Sequence, residues 1–264
     1  MAIDEVFVNP TVKQVVFQIV FPNLFYIENK IGELQLKIMK EFPESTLLHR
    51  MQFTWADVGP QVKLTEIESK LEKEPSGQKV WQFKSPKNFV LNVQNSSLDV
   101  TSSYHKTYNL EGGEKFRDII KLVLDRFYEV ISLPVINRVG LRYIDECPIP
   151  SKDNATFISY YNSVFPIKRF NLSDATEMDF KTVVKRKKYN LRYVESLQKV
   201  KDEYKLILDF DGFALNVKPK DCLKVTDSLH QLISEEYSKT IKAPVKEYMR
   251  KPKEAENGVR GKTI

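Results

Sequence analysis

Within the stretch LDFDG, Asp209 and Asp211 stand two residues apart, which on a β-strand sets both carboxylates on one face. Paired carboxylates can hold Mg²⁺ for phosphoryl or nucleotidyl transfer, the metal stabilising charge that develops on oxygen. Two ligands fall short of a full set, so Asp145 or Glu146 would have to add a third. No GxxxxGK(S/T) phosphate loop accompanies them: the GKT at 261–263 has Glu256 where that loop needs its first glycine. The plainer reading is an acidic strand end before a glycine turn. The sequence therefore assigns no catalytic residue, no metal and no cofactor, and Asp209 and Asp211 stand as weak metal candidates.

A second cluster is basic. KTVVKRKKYNLRYVESLQKVK places Lys185, Arg186, Lys187, Lys188 and Arg192 around a hairpin, with Tyr189 and Tyr193 interleaved. Such charge binds phosphates and exposed rings stack on bases, while a hairpin edge guarded by lysines against aggregation uses the same letters. A third candidate lies in NRVGLRYIDE, where Arg138 and Arg142 project from one face of a strand and Gly140 leaves a gap between them. These arginines either pair with Asp145, Glu146 or Asp209, or line a groove that takes an anionic ligand or a partner's carboxylates.

The remaining chemistry is sparse. His49, His105 and His230 have no Ser or Cys at a recognisable nucleophile spacing. Cys147 and Cys222 form neither a disulfide framework nor a zinc motif and read as reduced, partly buried thiols, although a helix dipole just after Cys222 would lower its pKa.

The elements that must position these groups follow from periodicity. Val12 to Phe21 alternates as a strand and stops at Pro22; Tyr26 to Phe42 carries an apolar stripe at helical spacing and stops at Pro43. Strands are predicted at 47–55, 79–85, 89–93 and 98–102, with a solvated acidic stretch containing Glu66, Glu68, Glu72 and Glu74 between the first two. A long helix follows GGEKF. The order then recurs: a strand at 137–146, a helix at 155–164, strands at 179–187, 190–197 and 204–211, and a helix at 226–240. The expected fold class is α+β, two repeats of strand, helix, antiparallel strands and helix, packed side by side: 1–135, 136–243, and a basic, flexible tail over 244–264.

With 264 residues, 42% of them hydrophobic, the chain is long enough for one large or two small cores. Residues 1–135 hold 16 Lys and Arg against 17 Asp and Glu, and residues 136–264 hold 25 against 18. The basic second half hints at an acidic or polyanionic partner. No signal-like start or membrane-length apolar run is present, which points to a cytoplasmic protein with no membrane partner.

NPTVKQVVFQIVFPN, RVGLRYID, LDFDGF and LHQLISEEYSKTI, in this order, resemble a sporadically distributed, uncharacterised prokaryotic family, from about Pro10 to Ile241. RVGLRYID is the most specific element, and the family commonly has Asn where this chain has Asp145. The resemblance implies a two-part α+β fold and mobile gene neighbourhoods, sometimes beside antiviral defence genes. The expectation is a non-enzymatic, protein-binding accessory or regulatory subunit of a prokaryotic defence or stress system. A nucleic-acid or anionic small-ligand binder is the first alternative, and a Mg-dependent phosphodiesterase or nucleotidyltransferase the second.

Overall fold

Val15, Phe17 and Ile19 are fully buried while Gln14, Val16, Gln18 and Val20 are half-exposed, so the first strand has one covered face and one open face. Much the same alternation recurs in the strands Phe89–Gln94, Ser97–Ser102 and Ile136–Pro148 of the computed structural model, which describes residues 5–50, 78–103, 107–111, 113–200 and 203–252, while residues 44–49, on a strand at the sheet's edge, are exposed. The elements in chain order are β1 (Val12–Val20), α1 (Ile27–Ile38), β2 (Glu44–Arg50), β3 (Gln78–Lys84), β4 (Phe89–Gln94), β5 (Ser97–Ser102), α2 (Phe116–Val130), β6 (Ile136–Pro148), α3 (Asn154–Tyr160), β7 (Met178–Arg186), β8 (Tyr189–Val200), β9 (Glu203–Val217), α4 (Cys222–Thr240) and α5 (Ala243–Arg250), with a 3₁₀ turn (Pro219–Asp221) before α4.

The strands form one nine-stranded sheet in the order β2-β3-β4-β5-β1-β6-β9-β8-β7, antiparallel at every pairing. The fold is mixed α+β as expected. β1 and β6 are hydrogen-bonded neighbours, so the two halves of the chain meet inside one sheet and not as two separate sheets.

The helices that pack on this sheet share one face. Ile27, Ile31, Leu34 and Ile38 of α1 and Phe116, Ile120, Val123 and Phe127 of α2 join Phe17, Ile19, Leu91 and Val100 in a common core. The α4 residues Leu229, Ile233 and Tyr237 cover Tyr143 and Phe210 on the same side. No helix among the described residues is long and apolar enough to cross a membrane.

Two expectations are corrected. The strand carrying Asp209 and Asp211 does not end at a Gly212 turn; β9 continues to Val217. Gly212 is there because a Cβ at that position would meet Ile233 at 3.3 Å and 3.4 Å, so the missing side chain lets α4 sit close to the sheet. The tail expected from 244 begins as a helix instead. Val245 and Met249, four residues apart, are buried, and Asn9 donates its backbone N–H to the Met249 carbonyl at 2.9 Å. The rest of that tail with Lys253, Arg260 and Lys262, the acidic stretch with Glu66, Glu68, Glu72 and Glu74, the end of the strand expected over 47–55, and His105 lie outside the described residues.

Candidate functional site

On the face opposite α4, register brings the predicted charges together. Arg142 lies across from Asp211, and Asp211 from Arg192, on three adjacent strands. Arg142 donates from Nε and Nη2 to the two oxygens of Asp209 at 2.7 Å and 2.8 Å, and Arg192 donates from Nη1 to Oδ2 of the same carboxylate at 2.9 Å. Arg138 donates from Nη2 to both oxygens of Asp211 at 2.6 Å and 2.8 Å and from Nη1 to Gln18 at 3.2 Å. Burial pushes the Asp211 carboxyl above its usual range while Arg138 pulls it back, and the hydrogen bond to Asp209 raises the Arg142 guanidinium.

The acids that hold these arginines are Asp209 and Asp211, with Asp145 turned to the other face beside Tyr143 and Cys147. Both metal-candidate carboxylates are engaged by guanidinium groups. Among the described residues no group of three His, Cys, Asp or Glu side chains is placed to hold a metal ion.

The gap expected over Gly140 is occupied by Arg138 itself: a Cβ at Gly140 would lie 2.2 Å from Arg138 Nη1 and 2.8 Å from its Cζ. Gly140→Ala is therefore expected to push the guanidinium off Asp211 and lower stability by about 1–2 kcal/mol in urea unfolding. The loss should shrink when Arg138 is replaced by Ala in the same chain.

The basic hairpin lies at the sheet's edge. Lys187 takes a positive φ of 56° in the two-residue loop between β7 and β8, and Lys185, Arg186, Lys187 and Lys188 are exposed. Lys185 shares a cross-strand row with Asn190, Phe213 and Gly140, three strands out from Arg138 and Arg142 and one from Arg192. Arg186 reaches Glu236 on α4 at 3.4 Å. The rings expected to be exposed are half-buried: Tyr193 packs on Phe210 at 4.9 Å, and Tyr189 has Lys188 over it.

The chemistry that composition did not reveal lies on the helix-covered face. A cavity of about 110 Å³, open on one side, sits between β6 and α4. The segment before β1, the loop at 107–110 and α5 close it. Asp145 is buried in its wall and accepts a hydrogen bond from Thr11 Oγ1 at 2.8 Å, and Thr11 Oγ1 is 2.6 Å from Tyr237 Oη. A hydroxyl has one proton to give. When Asp145 is ionised the chain of donors runs Tyr237 to Thr11 to Asp145; when Asp145 is protonated it can reverse.

A register shift between Val12 and Gln14, opposite Asp145 and Ile144, re-aims the start of β1 and brings Thr11 alongside. Among the described residues no Lys or Arg forms an ion pair with Asp145, and burial lifts its carboxyl to about 7 against the pull of Thr11.

The other wall is aromatic. Tyr108 stacks on His230 with ring centroids 4.1 Å apart and donates its hydroxyl to Asp227, which Arg117 grips with two hydrogen bonds of 2.8 Å and 3.0 Å. Tyr143 Oη lies 3.3 Å from His230 Nδ1. Burial keeps His230 neutral by lowering it to about 4. Cys147 and Cys222 are both buried and free. At Cys222 burial outweighs any helix dipole and pushes the thiol up to about 12.

Sequence reasoning set His230 aside for want of a nucleophile at motif spacing and gave Tyr108, Thr11 and Tyr237 no chemical role, although Thr11, His230 and Tyr237 lie in stretches that carry the family resemblance. The one local signal that could have found the cavity is Asp145, an acid that at period two shares a strand face with Val139, Leu141 and Tyr143. Comparison with family models, curated proteins and solved structures returned no match.

Proposed function

We propose that this protein acts by binding and not by catalysis, and that its ligand is a small organic molecule held in the cavity between β6 and α4. The observation that carries this reading is Asp145. A carboxylate is buried in an aromatic-walled cavity where, among the described residues, Thr11 is its side-chain hydrogen-bond donor and no Lys or Arg pairs with it, an expensive arrangement for folding alone. Apolar pockets with a few convergent polar groups of shifted pKa are the usual form of small-molecule sites.

The test is native mass spectrometry of the protein purified from its own host. A small molecule should accompany the wild-type chain and be lost from Ser234→Leu, which adds bulk to the cavity wall. Equal occupancy in the two chains, or none in either, would count against the pocket.

As a ligand-binding subunit the protein would pass the signal to a protein partner, an accessory role in keeping with the gene neighbourhoods, sometimes beside defence genes, that the family resemblance implies. We read the runs from β1 to α2 and from β6 to α4 as two repeats; the central β1–β6 pair, flanked by β5 and β9, supports this. The buried free thiols Cys147 and Cys222 support a reducing, cytoplasmic setting.

A second reading rests on the exposed Lys185, Arg186, Lys187 and Lys188 at the hairpin tip. If these bind nucleic acid, affinity for DNA or RNA should fall steeply with salt, and replacing all four by Ala should reduce the salt slope by about 3–4. A slope unchanged by the replacement would reject it.

A further inference from the structure

We infer that the cavity selects a small organic ammonium ion, with the Asp145 carboxylate as its counter-ion and the tyrosine-lined wall around its apolar part. This rests on the reading of the cavity as a ligand site and goes further by naming the charge of what it takes.

Among the described residues the lining contains two carboxylates, Glu5 and Asp145, and no Lys or Arg. Glu5 is already held by Arg250 at 2.9 Å and 3.1 Å, which leaves Asp145 as the acid whose charge is unmatched. An anionic ligand would meet that carboxylate with no cation in the wall to offset it. A neutral ligand would leave the buried charge uncompensated. An ammonium ion supplies both the missing charge and N–H donors for carboxylate oxygen.

The surrounding groups suit a cation. Tyr108, Tyr143 and Tyr237 contribute to the wall, and aromatic faces attract ammonium groups. His230, neutral at physiological pH, adds no opposing charge. The volume of about 110 Å³ is of the order of cavities that hold one benzene ring, and the open side accommodates a slightly longer molecule.

Binding must depend on pH through Asp145. The groups around that carboxylate are Tyr143, Glu146 and Cys147 on its own strand, Tyr237 and His230 on α4, Thr11 and Glu5 on the leading segment, and Met249 and Arg250 on α5. Of these, Tyr143, Tyr237 and Cys147 are driven upward by burial and stay neutral, and His230 is driven down. Asp145 is thus the group among them whose ionisation changes near neutrality. An aliphatic ammonium stays charged well above that range, with a pKa of about 10.

The test is calorimetric titration of the full chain with benzylammonium, benzyl alcohol and benzoate, which share one ring and differ in charge. Benzylammonium is expected to bind at least about tenfold tighter than benzyl alcohol, with benzoate weakest, and its affinity to rise about tenfold between pH 6 and pH 8 as Asp145 ionises. Asp145→Asn should erase the preference for the cation while benzyl alcohol still binds. Equal binding of benzylammonium and benzyl alcohol by the wild type, or a preference that survives Asp145→Asn, overturns the ammonium assignment and leaves a pocket for neutral molecules standing. Should none of the three bind, and the native protein carry no small molecule, the pocket reading falls with it.

Discussion

Asp145→Asn is expected to make the protein more stable at neutral pH while removing the charge that its pocket offers. The carboxyl, whose ordinary value is 3.8, is raised to about 7 in the fold. A displacement of roughly three units corresponds to about 4 kcal/mol of preference for the protonated form. Asn keeps an acceptor for Thr11 but brings an amide NH₂ that must find a partner, at a cost of about 1 kcal/mol. The net expectation is a gain of about 3 kcal/mol at pH 7, read from the midpoint of urea unfolding.

The pH profile carries the signature. Because its folded pKa is raised, Asp145 contributes stability that is complete below its unfolded value of 3.8 and is lost as pH rises towards 7. His230 acts in the opposite sense. Its folded pKa of about 4 lies below 6.5, so its contribution is complete above 6.5 and is lost as pH falls towards 4.

The two slopes oppose each other between about pH 4 and 6.5, and only that of Asp145 persists from there to pH 7. Glu195 and Asp211 are also raised by burial and contribute alike to both chains, so the difference between wild type and Asp145→Asn isolates Asp145. That difference should grow steadily from pH 4 to pH 7. A flat difference curve, or a less stable variant at pH 7, would show that the carboxylate is held by contacts that stabilise its charge. A residue that weakens the fold and strengthens a binding site is what a functional role predicts.

Asp209→Ala has the largest expected cost on the opposite face. This carboxylate, 6% exposed, satisfies Arg142 through two hydrogen bonds and Arg192 through a third. Its removal leaves two guanidinium groups beside each other without their anion. Breaking a buried pair from one side costs about 3–5 kcal/mol. Here the arginine side chains are 41% and 28% exposed and can take up water, so the expected loss is about 2–3 kcal/mol.

Asp211→Ala, which releases Arg138 alone, should cost less. The outcome also separates this reading from the metal one. If Asp209 and Asp211 were a metal pair repelling each other in the absence of the ion, neutralising one would leave stability unchanged or improve it. A thermal or urea midpoint that does not fall in Asp209→Ala would therefore reopen the metal reading.

How far these sites can be read from sequence differs between the two faces. The arginine and aspartate strip was half legible: period two sets Arg138 with Arg142 and Asp209 with Asp211, each pair on its own strand face. Which acid meets which arginine depends on the register between β6 and β9, and a slip of one residue would have turned the aspartates to the other face. Gly140 was visible as a break in side-chain cover and Gly212 reads as a turn, yet what meets them, Arg138 and Ile233, comes from packing. The short helix α5 had its own signal in Val245 and Met249, spaced four apart, which the surrounding Lys and Arg masked.

By itself the sequence determined the alternation of strands and helices, the α+β class, the division of RVGLRYID into two faces and the basic hairpin, because each is written in the spacing of neighbouring side chains. Tertiary structure alone decided that the halves share one sheet and that Asp145 has Thr11 and Tyr237 for company. Thr11 is 134 residues from Asp145 and 226 from Tyr237. The pKa of a buried acid depends on what surrounds it in space, and spacing along the chain carries no information about neighbours that far away.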